Sequence, residues 1–155
     1  MASFLSYIRR TFLPWGLMTP KKILLVDDET AVLFAYRKVL ERPGVNVDAA
    51  ESKKETIRLL DRCSYDVAIL DLRLSGGDCE EGFELLSVIK AKSPSTKIML
   101  ITAYGNPDIQ EKATSLGADF YFEKPVSTRF IQEALRLAGV PIQDDEISKV
   151  VWKFS

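Results

Sequence analysis

Four apolar runs end in residues able to handle phosphorus. Ile23-Leu24-Leu25-Val26 leads into Asp27-Asp28-Glu29, and Val67-Ala68-Ile69-Leu70 leads into Asp71. The run from Lys97 to Ile101 ends in Thr102, and the one from Asp119 to Phe122 ends near Lys124-Pro125. Gathered in one place, three carboxylates would repel one another and raise their own pKa values. A hard divalent cation resolves that conflict, and Mg²⁺ prefers one or two carboxylates together with waters and a phosphate oxygen. Lys124 brings a charge suited to an incoming phosphoryl group, and Thr102 a hydroxyl for one of its oxygens. A carboxylate nucleophile, a metal and a cationic clamp are what phosphoryl transfer asks of a protein, whose task there is positioning and charge stabilisation. One aspartate at a strand end is ordinarily a helix cap or a loop residue, so the inference rests on the set.

The elements between these residues must bring them together. The run 23–26 is short, branched and unbroken, as in a strand buried on both faces. A helical pattern follows, with Val32, Leu33, Tyr36, Val39 and Leu40 on one side, and Arg42-Pro43-Gly44 stops it. Val45 to Ala49 reads as a weaker strand, and Lys53 to Arg62 as a helix burying Ile57, Leu59 and Leu60. Val67 to Leu70 is the central strand. A glycine-containing loop runs to about Glu81, followed by a helix carrying Phe83, Leu85, Leu86 and Ile89, which Ser93-Pro94-Ser95 ends. Asn106-Pro107-Asp108 starts another helix, with Asn as its cap, Pro in the first turn and Asp favoured by the dipole. Gly117 closes it. Asp119 to Phe122 is a short fifth strand, and Thr128 to Ala138 the last helix. Strands alternating with helices specify a doubly wound α/β fold on a five-stranded parallel sheet, with right-handed crossovers. Ligands of such sheets bind beyond the carboxyl ends of the strands, where Asp27, Asp28, Asp71, Thr102 and Lys124 fall.

Composition narrows the function further. The chain has 155 residues, 46% apolar and 28% charged, which suits one packed domain. With 21 basic and 22 acidic residues and a net charge of -1, it lacks the basic excess of a nucleic-acid-binding surface. Histidine is absent, which excludes His-based acid–base catalysis, His-ligated metals and any role as a phosphohistidine donor. Cys63 and Cys79 have no metal-ligand spacing and read as reduced structural thiols of a cytoplasmic protein. No apolar run approaches the roughly 20 residues that span a bilayer, and no cleavable signal is evident.

The motifs Leu25-Val26-Asp27-Asp28-Glu29, Ile69-Leu70-Asp71-Leu72, Ile101-Thr102-Ala103 and Glu123-Lys124-Pro125 resemble those of response-regulator receiver domains of two-component signalling, over about Lys21 to Val140. The single-domain, chemotaxis-regulator-like type is the nearest in form. The resemblance implies a flavodoxin-like sheet of order 2-1-3-4-5. It implies Asp71 as phosphoacceptor, supplied by a sensor histidine kinase or a histidine phosphotransfer protein. Mg²⁺ would be held by Asp28, Asp27, Asp71 and the backbone carbonyl of Arg73. Thr102 and Lys124 would contact the phosphoryl group, and Tyr121 takes the place of an aromatic switch whose rotamer follows the Thr102 hydroxyl. Downstream proteins would read the face formed by the fourth helix, fifth strand and fifth helix (α4-β5-α5). Arg73 and Tyr104 occupy the two positions that tune phosphoryl lifetime; both are bulky, and the expectation is that they obstruct in-line water attack.

Departures accompany the likeness. Such domains usually carry a Pro near position 75 and an Asp-Gly pair before the third helix. Here Ser75 stands instead, and Gly76-Gly77-Asp78-Cys79-Glu80-Glu81 lengthens the loop before Gly82. Its acids read as a solvated loop, or as a contribution to metal affinity or kinase choice. Residues 1–20 form an extension with Phe4, Leu5, Ile8 and Phe12 at helical spacing: an amphipathic helix, a stretch preceding the true start at Met18, or a weak membrane-surface anchor. Residues 141–155 form a tail with Ile147, Val150, Val151 and Phe154 at helical spacing. The reading is a stand-alone signalling domain, not an enzyme on an external substrate, acting through protein contacts, with a homodimer left open. Its alternatives are a phosphorelay shuttle and a constitutive scaffold. An aspartate-nucleophile phosphatase would need a second Asp at position 73, where Arg stands.

Overall fold

The computed structural model describes residues 19–142, so the expectations for the N-terminal extension up to residue 18 and for the tail residues 147–154 lie outside the described residues. Strands β1 (Lys21–Val26), β2 (Val45–Ala50), β3 (Val67–Asp71), β4 (Lys97–Thr102) and β5 (Phe120–Glu123) alternate with helices α1 (Thr30–Leu40), α2 (Lys53–Arg62), α3 (Glu80–Lys92), α4 (Pro107–Ser115) and α5 (Thr128–Leu137). The sheet runs β2-β1-β3-β4-β5, and every pairing is parallel. Successive side chains of a strand point to opposite faces, so unbroken apolar runs feed two cores at once. Leu24, Val26, Ala68, Leu70, Ile98 and Leu100 pack with Phe83, Leu85, Leu86 and Ile89 of α3, Ala113 of α4, and Leu59 and Leu60 of α2. Ile23, Leu25, Val67, Ile69, Met99 and Ile101 pack with Leu33 and Leu40 of α1 and with Ile131, Ala134 and Leu135 of α5.

Local chemistry fixes the helix starts. Asn106 caps α4 by accepting the Ile109 N–H at 2.9 Å, with Pro107 as the first helical residue. Ser52 caps α2 by accepting the Glu55 N–H at 3.2 Å. One expectation for α2 fails. Its deepest side chain is Thr56, fully buried, while Ile57, Leu59 and Leu60 are only half-buried. Thr56 is tolerated inside because its hydroxyl donates to the Ser52 carbonyl at 2.9 Å, leaving no polar group unpaired. Helix α3 starts at Glu80, earlier than the apolar pattern suggests, because Asp78 Oδ1 takes the Glu80 N–H at 3.0 Å and folds the end of the loop into the helix. Gly82, in the first turn of α3, lies flat on the chain leaving β3: a Cβ there would stand 2.3 Å from the Leu72 carbonyl oxygen.

The amino edge of the sheet is held by carboxylates. Asp66, just before β3, accepts the Lys22 N–H at 2.9 Å and pairs with Lys21 Nζ at 3.2 Å. Asp119, just before β5, accepts the Ile98 N–H at 2.9 Å and pairs with Lys97 at 3.0 Å and Lys90 at 3.2 Å. Burial works against ionisation of Asp119, but the Ile98 N–H and the two lysines outweigh it and hold the carboxyl below its ordinary value.

Candidate functional site

The opposite, carboxyl edge carries the residues singled out above. Parallel register delivers them: Val26 lies beside Leu70, Asp71 beside Ile101, and Thr102 beside Glu123. At the centre the Lys124 ammonium lies 2.9 Å from Asp71 Oδ2 and 3.6 Å from Asp27 Oδ2. Asp71 and Asp27 are nearly enclosed, with 11% and 9% of their side chains exposed, so one cation serves two buried carboxylates. Burial alone would depress the Lys124 pKa; its hydrogen bond to Asp71 and the charges of Asp71, Asp27 and Glu29 reverse this and raise it. Burial raises the Asp27 pKa, and the N–H of Glu29 and the charge of Lys124 only partly offset that.

The remaining carboxylate oxygens are aimed by backbone. Asp27 Oδ1 accepts the Glu29 N–H at 2.9 Å, and Asp71 Oδ1 accepts the Arg73 N–H at 3.0 Å. Glu29 is the N-cap residue of α1, and its carbonyl receives the first helical N–H groups. Asp28 is exposed at the rim and stands apart from the Lys124 pair. Thr102 is buried; its hydroxyl accepts the Tyr104 N–H at 3.2 Å, and its carbonyl accepts the Lys124 N–H at 2.8 Å. Ala103 is exposed and small. The Tyr121 hydroxyl is buried without a hydrogen-bond partner among the described residues, and its ring packs against the core formed by α2, α3 and α4. Burial and the charge of Glu123 push its pKa up against the opposing Asn106 backbone.

The structure therefore brings together Asp27, Asp71 and Lys124, with Thr102 alongside, and keeps Asp28 at the rim. No group of three or more His, Cys, Asp or Glu side chains is disposed to hold a metal among the described residues. The donor chemistry nonetheless suits Mg²⁺, which needs few protein ligands: all donors are oxygens, and two buried carboxylates share a single ammonium. A cavity of about 20 Å³ lies beneath, lined by Asp27, Asp71 and Lys124 and by Tyr36 of α1. Tyr36 was missed from the sequence because its helical spacing marks it only as a core residue.

Two contacts at the mouth also escape sequence reasoning. The Arg73 guanidinium sits 3.9 Å from the centre of the Tyr104 ring, and Arg73 Nε donates to the Gly77 carbonyl at 2.7 Å. At the start of α3, Glu80 pairs with Lys112 of α4 at 2.7 Å.

Residues 23–136 match the family model of the response regulator receiver domain. The chain belongs to that family. The receiver is 36% identical over 118 residues to the alginate biosynthesis transcriptional regulatory protein AlgB of Pseudomonas aeruginosa, covering 76% of this chain and 25% of AlgB. It thus spans about a quarter of the length of that relative. Among solved structures it is similar to a CheY-like response regulator receiver domain protein from Methanospirillum hungatei, at 30% identity and a TM-score of 0.69, covering 76% of this chain and 92% of that one. It is also similar to a response regulator from Burkholderia pseudomallei solved with a phosphorylated aspartic acid, a calcium ion and citrate. That match has 26% identity and a TM-score of 0.67, covering 86% of this chain and 72% of the other. Receivers are signalling domains of two-component systems; phosphorylation and Mg²⁺ binding are general features of the family, whose members interact with kinases and downstream targets. The strand order and helix count agree with the fold expected from the sequence. No helix among the described residues is long and apolar enough to cross a membrane.

Proposed function

We propose that residues 21–140 form a receiver in which Asp71 accepts a phosphoryl group from the phosphohistidine of a kinase or phosphotransfer protein. The observation that carries this is the Lys124 ammonium set between Asp71 and Asp27 at the sheet's carboxyl edge. In the transfer, an Asp71 oxygen forms a bond to phosphorus as the nitrogen–phosphorus bond of the donor breaks, and that electron pair returns to the imidazole. Lys124 and Thr102 stabilise the transferred group, Lys124 by its charge and Thr102 by donating its O–H to a phosphoryl oxygen while its oxygen keeps the Tyr104 N–H. Asp27, Asp28, Asp71 and the Arg73 carbonyl would hold Mg²⁺, which supplies charge neutralisation for the phosphoryl oxygens. A relative solved with a phosphorylated aspartic acid and a divalent cation supports the reading.

The output is a change of protein contact. Thr102 and Tyr104 move as one through their 3.2 Å hydrogen bond, so drawing Thr102 inward shifts the β4–α4 loop. Tyr121, whose ring packs against the core formed by α2, α3 and α4, repacks beside that loop, and the face of α4, β5 and α5 changes its affinity for a downstream protein. Arg73 and Tyr104 obstruct water and lengthen the phosphorylated state.

Intact-mass measurement with Mg²⁺ and acetyl phosphate tests this. One added phosphoryl group, absent in Asp71→Ala, is expected. No added mass, together with no change in amide exchange on adding beryllofluoride, would leave a constitutive scaffold as the better account.

A further inference from the structure

We propose that Tyr36 of α1 is a positioning residue for Lys124, and that it acts through one water molecule held in the cavity beneath Asp27, Asp71 and Lys124. This rests on the reading of Asp71 as phosphoacceptor.

Hydrogen bonding at the centre of the site is incomplete. An ammonium carries three N–H donors, and a buried donor or acceptor left without a partner is costly. Lys124 Nζ gives one N–H to Asp71 Oδ2 at 2.9 Å. Asp27 Oδ2 stands at 3.6 Å, beyond hydrogen-bond length, and meets the ammonium through charge alone. The other oxygen, Asp27 Oδ1, is taken by the Glu29 N–H at 2.9 Å. Oδ2 is therefore the oxygen that needs a donor, on a side chain with only 9% of its surface exposed. A polar contact stretched this far between enclosed groups is one that a water can bridge.

The space for that water is present. The cavity of about 20 Å³ is bordered by Asp27, Asp71 and Lys124 on one side and by Val32, Leu33 and Tyr36 of α1 on the other. That volume exceeds the roughly 10–15 Å³ that a water needs, and a water also needs two to four polar partners. Lys124 supplies a donor and Asp27 Oδ2 an acceptor. On the α1 side Val32 and Leu33 are apolar, so the third partner is the Tyr36 hydroxyl. Burial raises the Tyr36 pKa, and the charges of Lys124 and Asp27 pull it in opposite directions, as they do for a hydroxyl within reach of both. A leucine at position 36 would satisfy the helical pattern equally well and leave the water one partner short.

The consequence falls on Lys124. When Asp71 takes a phosphoryl group, the ammonium must turn from Asp71 Oδ2 to a phosphoryl oxygen without leaving the site. A water anchored by Tyr36 holds it through another N–H during that turn. The same bond keeps the ammonium from closing fully on Asp71, whose oxygen is the nucleophile. Tyr36 itself touches neither the phosphoryl group nor the metal.

Two measurements on the full chain test this. Crystals grown without a divalent cation should show a water within about 3.2 Å of Tyr36 Oη, Asp27 Oδ2 and Lys124 Nζ. A dry cavity, or a water that keeps its place in Tyr36→Phe, would overturn the proposal. The second measurement is phosphoryl uptake from acetyl phosphate at saturating Mg²⁺, followed by intact mass. Tyr36→Phe keeps the ring and loses only the hydroxyl, and it should lower the maximal uptake rate about fivefold. The acetyl phosphate concentration giving half that rate, and the urea midpoint, should stay at wild-type values. Tyr36→Leu, which also lacks the hydroxyl, should be at least as slow. Wild-type uptake in Tyr36→Phe with slow uptake in Tyr36→Leu would make Tyr36 a packing residue and overturn its positioning role. A change in the half-saturating concentration with the maximal rate unaltered would overturn it too, by making Tyr36 a binding group. A wild-type protein that holds the water and takes no phosphoryl group would remove the acceptor reading while leaving the water site in place.

Discussion

Asp119 and Asp71 stand at opposite ends of the same sheet, and their surroundings are built on opposite terms. At the amino edge, one carboxylate collects two lysines and a backbone N–H, and its pKa falls. At the carboxyl edge, two more deeply buried carboxylates share one lysine, and the pKa of Asp27 rises. The first arrangement stabilises the fold. The second leaves a deficit of positive charge, which a bound cation would make good. The comparison teaches that buried acids in one domain are to be told apart by how well they are compensated, not by how deep they lie.

The largest test of that contrast is Lys124→Met. With no counter-ion left between Asp27 and Asp71, folding stability in urea without added metal should fall by about 3 kcal/mol. A smaller loss than at the amino edge would break the comparison. Asp119→Ala comes next. The Ile98 N–H loses its partner and two lysines are released, for a cost of about 2 kcal/mol, while phosphoryl uptake from acetyl phosphate stays at the wild-type rate. Asp27→Asn has the smallest effect on folding, with stability equal to wild type or higher by about 1 kcal/mol, yet it should slow Mg²⁺-dependent uptake.

Acid sharpens the same contrast through its sign. The folded pKa of Asp119 is lowered from 3.8, so its contribution is complete above that value and is lost as pH falls through the folded pKa. The folded pKa of Asp27 is raised from 3.8, so its ionisation penalises the folded state as pH rises past that value, and acid relieves the penalty. Urea midpoints between about pH 7 and about pH 3 should show both variants converging on wild type, Asp119→Asn from below and Asp27→Asn from above.

Much of the architecture was legible because it is written in local or periodic signals. Branched runs marked the strands, Asn106-Pro107 and Gly117 bounded α4, and the topological rule for parallel sheets placed Asp27, Asp71, Thr102 and Lys124 on one edge. What escaped depends on register and on loop geometry. Nothing local tells that Asp119 will meet Lys90 and Lys97, because that pairing requires β4 beside β5 and α3 above both. The stack of Arg73 on Tyr104 likewise needs two loops to reach a common height. The preference for Thr56 over Ile57 inside α2 turns on a hydroxyl finding the Ser52 carbonyl, a bond that hydrophobicity cannot foresee. Asp28 is exposed while Asp27 beside it is buried, a difference in depth that their adjacency in sequence does not reveal.

Gly82 has a bearing on how variant libraries of this domain are to be interpreted. Because any side chain there would run into the Leu72 carbonyl, folding alone would empty position 82 of all other residues. Depletion at that position would carry no information about signalling, close though it lies to Asp71. Substitutions at position 71 that keep the fold would survive a screen for soluble protein and vanish only from one for phosphorylation. Scoring each variant in both screens would draw the border between scaffold and site directly from survival, one residue at a time.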